Sequence, residues 1–236
     1  MFERRPSTVA RVQIEEVPAE QELIHHRAYD VQVFRVDESH LRIRGRVTDT
    51  KPDGLWFLDG DKPMVGHDMV VDLIVGFPTM EIVDAVAVMD TMPNRVCQDG
   101  LPTYKQLIGV SISRGYTHKV RELFGGPRAC THITALLLAM GPAATQSYFG
   151  MQRRNDQSQG QPVGITTRSE SELSVHLMKQ QRGHFARNQN TCHVWADDGP
   201  MEQKIKAGEE LDPPLWAIER MEKLGLDPME TWRNAR

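Results

Sequence analysis

The chain has few of the residues that define several protein classes. It contains only three cysteines in 236 residues, and they lie far apart. An odd number of widely spaced cysteines argues against a disulfide scaffold and favours reduced thiols in the cytoplasm. The sequence has no apolar run near the roughly 18 residues that span a bilayer, and its N-terminus lacks the apolar segment of a signal peptide. We therefore expect a cytoplasmic protein with no membrane partner.

The chain also lacks an excess of either charge and the short motifs of nucleotide binding. Its formal net charge is -4, so it has no basic surplus with which to hold a phosphate backbone. Neither a GxGxxG motif nor a Lys-Ser/Thr pair follows its glycine pairs. Nucleic acid is therefore not an expected partner, and we expect no bound cofactor.

Residues 29–90 carry the period-two alternation of β-strands. Apolar and basic residues alternate throughout 41–47, and apolar residues also recur at every second position of 66–75 and 80–90. Short polar or Gly/Pro-containing segments at 37–40 and 76–79 read as hairpin turns. Strands this close in sequence are most simply antiparallel. The pattern predicts an antiparallel sheet built from two or more hairpins.

Beyond Pro93 the pattern is helical, which makes the predicted fold class α+β, a sheet followed by packed helices. Short helices are predicted at 101–108 and 115–124, and a longer one at 131–148 with a kink or break at Gly141-Pro142. We divide the chain into an N-terminal arm (1–28), an α+β catalytic or binding domain (29–200) and a helical C-terminal tail (201–236).

The tail carries an apolar stripe that needs a partner. Trp216, Ile218, Met221 and Leu224 recur at near-helical spacing. Such a stripe is buried against something in a stable protein. Because the pattern of the main domain ends before Gly199, the stripe indicates a homo-oligomer, with a homodimer as the simplest case, or a lid over the pocket.

The most informative stretch is Cys130-Thr131-His132, which opens the apolar run of the long predicted helix. Backbone N–H groups are unpaired at a helix start, and the dipole there favours anions and disfavours imidazolium. His132 is therefore expected to stay neutral and to act as a catalytic acid or base. Cys130 and Thr131 are expected to contact the substrate, although a free cysteine is commonly a small packing group.

His67 lies on a predicted strand, on the same face as Met69. It is expected to face the core or a pocket, where a neutral imidazole can serve as a general base. The alternative is a structural histidine with both ring nitrogens satisfied. Met69 belongs to a methionine-rich region that can fill the core or adapt to a flat aromatic ligand, so we include it among the substrate-binding candidates.

Tyr104 and Tyr116 are the candidate proton donors. A tyrosine has a pKa of about 10, which matches that of a leaving phenoxide. Arg114, two residues before Tyr116, could hold a phenolate or carboxylate. The alternative is that each tyrosine bridges core and solvent with a hydrated hydroxyl.

A zinc site is the alternative to acid–base chemistry. Its tetrahedral ligands would be Cys97, Cys130, His132 and Cys192. Their spacing is wide, and no CxxC or HxxxH pair organises them in advance.

Several of these motifs, in this order, resemble those of a bacterial family known mainly as a domain of unknown function. Its members have a strand with a GxxxHDM-like motif, a GCTHLxEL-like helix start and a late cysteine. The matching residues here are Gly66-His67-Asp68-Met69, Cys97, Gly115-Tyr116, Cys130-Thr131-His132 and Cys192. This chain departs from the family with Ala129 in place of glycine and Ala135 in place of glutamate, and the second change removes a candidate acid.

The resemblance implies a link to formaldehyde-releasing lyases of lignin-derived aromatic dimers, such as phenylcoumaran gamma-formaldehyde lyase. On that basis the expected function is a cofactor-independent lyase in aromatic compound catabolism, acting on a small phenolic compound. One imidazole would remove a proton from a primary hydroxyl, and a tyrosine or the second imidazole would protonate the oxygen of an opening ether. The alternatives are a zinc-binding protein and a non-catalytic module that binds an aromatic ligand.

Overall fold

The computed structural model describes residues 16–52, 62–160, 188–213 and 215–234. The chain divides into two compact units, Met1–Gln152 and Arg153–Arg236. The first unit holds the sheet and its covering helices, and the second holds short helices. Among the described residues, no helix is both long enough and apolar enough to cross a bilayer.

A four-stranded antiparallel sheet forms the centre of the first unit, with its strands in sequence order. They are β1 (His26–Arg35), β2 (His40–Lys51), β3 (Met64–Gly76) and β4 (Glu81–Thr91). The predicted antiparallel hairpins are confirmed, and so is the α+β class. β1 begins at His26, before the Tyr29 at which the alternation was expected to start.

One face of the sheet forms the core because its side chains alternate strictly. The buried positions of β2 alternate with exposed or half-buried ones and are Leu41, Ile43, Gly45, Val47 and Asp49. The outward face carries cross-strand ion pairs, such as the one between Arg44 and Asp72. A charged residue, Asp49, thus continues a buried apolar stripe.

Helical segments follow the sheet and cover its apolar face. They are a 3₁₀ segment (Arg95–Leu107), α1 (Tyr116–Phe124), a short 3₁₀ turn (Gly126–Arg128) and α2 (Thr131–Ser158). The predicted helix at 101–108 is the end of a longer 3₁₀ segment. Pro102 lies inside that segment, where its missing N–H opposes a regular α-helix.

A kink or break was predicted at Gly141-Pro142, and the break is wrong, since α2 continues through both residues to Ser158. Proline removes one backbone hydrogen bond, but burial holds the helix on both sides of it. Leu137, Met140 and Ala144 are fully buried in the core. Packing of an apolar helix face contributes more than a single backbone hydrogen bond, so the helix persists.

Two glycines allow the covering helices to approach closely. A Cβ on Gly45 in β2 would lie 2.7 Å from the Met140 sulfur of α2, and a Cβ on Gly141 would lie 2.8 Å from the ring of Tyr116. Neither distance is compatible with a side chain in this position. The glycines therefore determine how closely α2 approaches the sheet and α1.

The second unit contains the predicted C-terminal helices. They are α3 (Pro200–Lys206), α4 (Leu215–Lys223) and α5 (Pro228–Asn234), preceded by a 3₁₀ turn at His193–Trp195. The side chain of Trp216 lies outside the described part. Leu224 lies beyond the end of α4 and is exposed, so it does not extend an apolar stripe of that helix.

We predict opposite effects for alanine at two glycines of α2. Gly141→Ala should lower the free energy of unfolding by about 1–3 kcal/mol because the buried Tyr116 ring cannot move aside. Gly150→Ala should raise it by about 0.5–1 kcal/mol, since nothing lies within 4 Å of its Cβ position and alanine favours a helix. Denaturant unfolding of the whole chain measures both. Stabilisation by both substitutions would contradict the close contact with Tyr116.

Candidate active site

A row of three polar side chains crosses the sheet on its buried face. Arg27 of β1 lies opposite Asp49 of β2, and Asp49 lies opposite His67 of β3. Directly opposed residues of antiparallel strands have Cβ atoms about 5 Å apart, so these side chains can interact. The antiparallel register therefore brings together three groups that are distant in sequence.

Two irregularities in the ladder flank His67. The pairing of β2 with β3 shifts between Asp49 and Thr50, which leaves Gly66 as an extra residue, and the pairing of β3 with β4 shifts between Asp68 and Met69. A β-bulge bends its strand and changes where the neighbouring side chains point. His67 is held between two such bends at the end of the row.

His132 completes the cluster from above the sheet. It lies in the first turn of α2, and its Nε2 is 3.1 Å from Asp49 Oδ2. His67 Nδ1 is also 3.1 Å from the same oxygen. The two imidazole rings are stacked, with their centroids 3.8 Å apart. One carboxylate oxygen thus orients two imidazoles.

The carboxylate of Asp49 is buried, with 3% of the residue exposed, and remains ionised because Arg27 pairs with it. The guanidinium donates from Nε and Nη2 to the two carboxylate oxygens, each at 2.6 Å. These hydrogen bonds and the guanidinium charge lower the pKa of Asp49 to about 2, against the opposing effect of burial. A bidentate pair of this kind fixes both the charge and the orientation of the carboxylate.

Burial lowers the pKa of His132, and the nearby His67 and Arg27 lower it further. Asp49 acts in the opposite direction but does not reverse the shift. The pKa of His132 is therefore lowered, as expected at a helix start, and burial is the largest cause. A neutral His132 that donates from Nε2 to Asp49 leaves Nδ1 as an acceptor, 3.7 Å from the Cys130 sulfur.

A cavity of about 560 Å³ opens beside the cluster. It is lined by both histidines, by Arg27 and Asp49, and by residues from the same end of the sheet. These further residues are His25, Lys51, Met64, Val65, Gly66, Thr91, Met92 and Pro93. The volume falls within the range of small-molecule sites. The cluster can therefore meet a ligand of the size of one or two aromatic rings.

The structure brings together the two histidines singled out from the sequence, His67 and His132, in one cavity. The predicted substrate-binding residues near them do not line it. The Cys130 sulfur lies between His132 and Met69, 3.9 Å from the sulfur of Met69. Met69 is a core residue, and Thr131 is exposed at the start of α2.

The two tyrosines are also not among the residues that line the cavity. Tyr104 is buried, and its hydroxyl accepts a hydrogen bond from the backbone N–H of Cys130 at 3.2 Å. Burial raises its pKa to about 12. Burial also raises the pKa of Tyr116, whose hydroxyl has no hydrogen-bond partner among the described residues. Arg114 is exposed in the turn before α1.

All three cysteines are free. Cys97 packs against the core of the first unit, while Cys192 is exposed in the second. The zinc site proposed from these cysteines and His132 therefore stays a prediction. Among the described residues, a different set has potential ligand atoms within 4.8 Å of one another, namely Asp49, His67 and His132.

Asp49 and Arg27, on which the cluster depends, are not among the candidates that the sequence predicts. Asp49 continues the buried alternation of β2 by one more step beyond Val47, and a carboxylate at a core-facing position is a signal for function. Arg27 stands two residues before Tyr29 on the same strand face, but it was assigned to an N-terminal arm. His25 is a further neighbour, with Nε2 3.4 Å from Asp49 Oδ1.

Comparison with known proteins shows the family to which the chain belongs. Residues 25–146 match the model of the family described as Protein of unknown function (DUF2889). This is just over half of the chain, and the chain belongs to that family. The matched range includes His25, Arg27, Asp49, His67 and His132. Neither a curated protein nor a solved structure matches the chain.

We predict that the contribution of Asp49 to the free energy of unfolding changes with pH over a narrow acidic range. Its folded pKa of about 2 lies below the ordinary 3.8, so between these values the unfolded chain binds more protons. The contribution is complete above about pH 4 and is lost as pH falls to about 2. It amounts to about 2 kcal/mol.

The comparison is acid unfolding of the wild-type chain and Asp49→Asn. The free energy of unfolding of Asp49→Asn should no longer show this dependence on pH. Asp72→Asn on the outer face, which breaks an exposed pair with Arg44, should keep the dependence. Parallel acid-unfolding curves for wild type and Asp49→Asn would contradict the assignment.

Proposed function

We propose that this DUF2889 protein is a lyase that acts on a small phenolic aromatic compound and releases formaldehyde from a hydroxymethyl side chain by acid–base chemistry. The observation that supports the proposal is the buried Asp49 carboxylate, which orients two imidazoles beside a cavity. Neutral imidazoles held by a carboxylate are suited to move protons near neutral pH.

His67 is the general base in this scheme. When its Nδ1–H donates to Asp49 Oδ2, Nε2 carries the lone pair of the neutral ring. The side chain lines the cavity and is 22% exposed, so a substrate hydroxyl can reach it. His132 stacks on this ring and shares its carboxylate oxygen, which makes His132 a positioning residue for His67.

The reaction balances without an oxidant or reductant. His67 removes the proton from the primary hydroxyl, and the oxygen electrons form the C=O bond of formaldehyde. The carbon–carbon bond breaks, and its electron pair forms a C=C bond to the neighbouring carbon. That carbon loses its bond to the aryl ether oxygen, which leaves as a phenoxide. One proton returned to the phenoxide completes the fragmentation.

The phenoxide needs a cation or a proton donor. Tyr104 and Tyr116 were the expected donors, but they lie in the core and outside the lining of the cavity. Lys51 and His25 do line it. We therefore assign proton return to the imidazole of His25, which also lines the cavity.

A metal-binding protein is the second candidate, because Asp49, His67 and His132 offer ligand atoms close together. Imidazoles on one tetrahedral zinc, with Zn–N distances of about 2.1 Å, would have ring centres roughly 5 Å apart. The observed stack at 3.8 Å fits two N–H groups on one carboxylate better. Metal analysis of the purified protein, with Asp49→Asn as the comparison, decides between the two. Stoichiometric zinc lost in that variant would favour the metal site.

A non-catalytic aromatic-ligand binder is the third candidate. It shares the cavity and differs only in having no turnover. A panel of phenolic dimers with and without a hydroxymethyl group, assayed for formaldehyde, separates it from the lyase. Binding of the panel without formaldehyde from any member would leave the binder and reject the lyase.

We predict that His67→Ala lowers kcat by about a hundredfold to ten-thousandfold, the usual contribution of a general base. Formaldehyde release from a hydroxymethyl-bearing phenolic dimer is the measurement. His118→Ala is the matched control, since this histidine is exposed on α1. Equal activity of His67→Ala and the control would exclude His67 as the base.

Cys130→Ser should retain most activity, because its sulfur contacts His132 and Met69 and is not part of the cavity lining. Serine keeps a donor for Nδ1 of His132. The same formaldehyde assay, with circular dichroism to confirm the fold, checks the result. A loss of about a thousandfold in a folded variant would instead indicate nucleophilic catalysis by the thiol.

A further inference from the structure

The walls of the cavity differ in chemistry from one side of the sheet to the other. His25 lies just before β1, Arg27 lies within β1, and Lys51 ends β2. Met64 and Val65 begin β3, and further apolar lining comes from Met92 and Pro93 just after β4. Because β2 pairs with β3 and Lys51 lies directly opposite Met64, the basic groups of β1 and β2 lie next to the apolar groups of β3 and β4 along this end of the sheet.

The basic side has a surplus of positive charge. Arg27 and Lys51 are cationic, and Asp49 is the only acid among the described residues that line the cavity. Both oxygens of Asp49 already accept hydrogen bonds from Arg27, and one also faces the two imidazoles. Asp49 therefore neutralises Arg27 and leaves the charge of Lys51 unbalanced within the cavity.

The start of α2 adds to the positive electrostatic potential in the cavity. His132, in the first turn of this long helix, lines the cavity, so the positive end of the helix dipole lies beside it. A helix start stabilises a nearby negative charge. The apolar side offers the thioether of Met92 and the side chain of Met64, which adapt to a flat ring.

We infer that the cavity selects an aromatic carboxylate, with its carboxylate over the β1–β2 side at Lys51 and its ring over the β3–β4 side at Met64 and Met92. His67 lies on β3, opposite Asp49 of β2, and lines the same cavity, so a ligand that spans the two sides passes beside it. The inference rests on the proposed function for the site, since it names the substrate class of that lyase, but it is tested by binding without turnover.

The test is calorimetric titration of the full chain with 4-hydroxycinnamate and with its methyl ester, in which a methyl group removes the charge at one end. The carboxylate should bind about tenfold more tightly than the ester, as one charge-assisted contact provides. Lys51→Gln should remove most of that preference, and Lys51→Arg should restore it. Met92→Ala should weaken both ligands by the same factor.

Lys105→Gln is the control, because this lysine pairs with Asp84 at an exposed position and does not line the cavity. Equal affinity for acid and ester would overturn the inference, as would a Lys51→Gln variant that weakens both alike. A phenol without a carboxylate, titrated at pH 7 and pH 10, tests the other anionic group. Tightening only upon phenol ionisation would overturn the carboxylate assignment.

The outcomes also separate this inference from the proposed lyase activity. Selective binding of the carboxylate without formaldehyde release from any hydroxymethyl substrate rejects the lyase and leaves the anion site standing. Formaldehyde release from neutral substrates, with no preference for the acid, supports the lyase and rejects the anion site.

Discussion

The bidentate pair between Arg27 and Asp49 is the interaction on which the site depends. It joins β1 to β2 at the end of the core, and it allows a carboxylate to stay ionised where only 3% of the residue is exposed. An unpaired buried charge is costly, and it would take up a proton or draw in water. With Arg27 in place, the same carboxylate can accept hydrogen bonds from His67 and His132. The two imidazoles therefore have defined orientations because a guanidinium on a third element stabilises their common partner.

That pair also bears on the protonation state of His132. A lone carboxylate raises the pKa of an adjacent histidine and favours imidazolium, which cannot accept a proton. Here burial is the largest cause that lowers the pKa of His132, His67 and Arg27 lower it further, and Asp49 opposes them only in part. Asp49 thus orients the His132 ring without reversing the lowering of its pKa.

The strands and their antiparallel hairpins could be predicted from the sequence because alternation is local and each hairpin turn has its own residues. The meeting of His67 and His132 also followed, since one faces inward from β3 and the other opens the helix that covers the sheet. Asp49 and Arg27 did not follow, because the partner of a strand residue depends on register, and register depends on bulges that single residues such as Gly66 allow. Tyr104 and Tyr116 have the sequence context of proton donors. Their burial in the core is set by tertiary packing, which the local pattern does not contain.

Packing elsewhere in the unit determines how far these groups can move. The first turn of α2 carries His132, and the rest of that helix is held against β2 at Gly45 and against α1 at Gly141. A side chain at Gly45 would meet the flexible Met140 side chain, whereas one at Gly141 would meet the buried ring of Tyr116, so α1 or α2 would have to shift. His132 stands in the first turn of α2, with Nε2 3.1 Å from Asp49 Oδ2, which is near the upper limit of an ordinary hydrogen bond. The geometry of the cluster at the edge of the sheet therefore depends on the contact at Gly141 in the core, because both lie on α2.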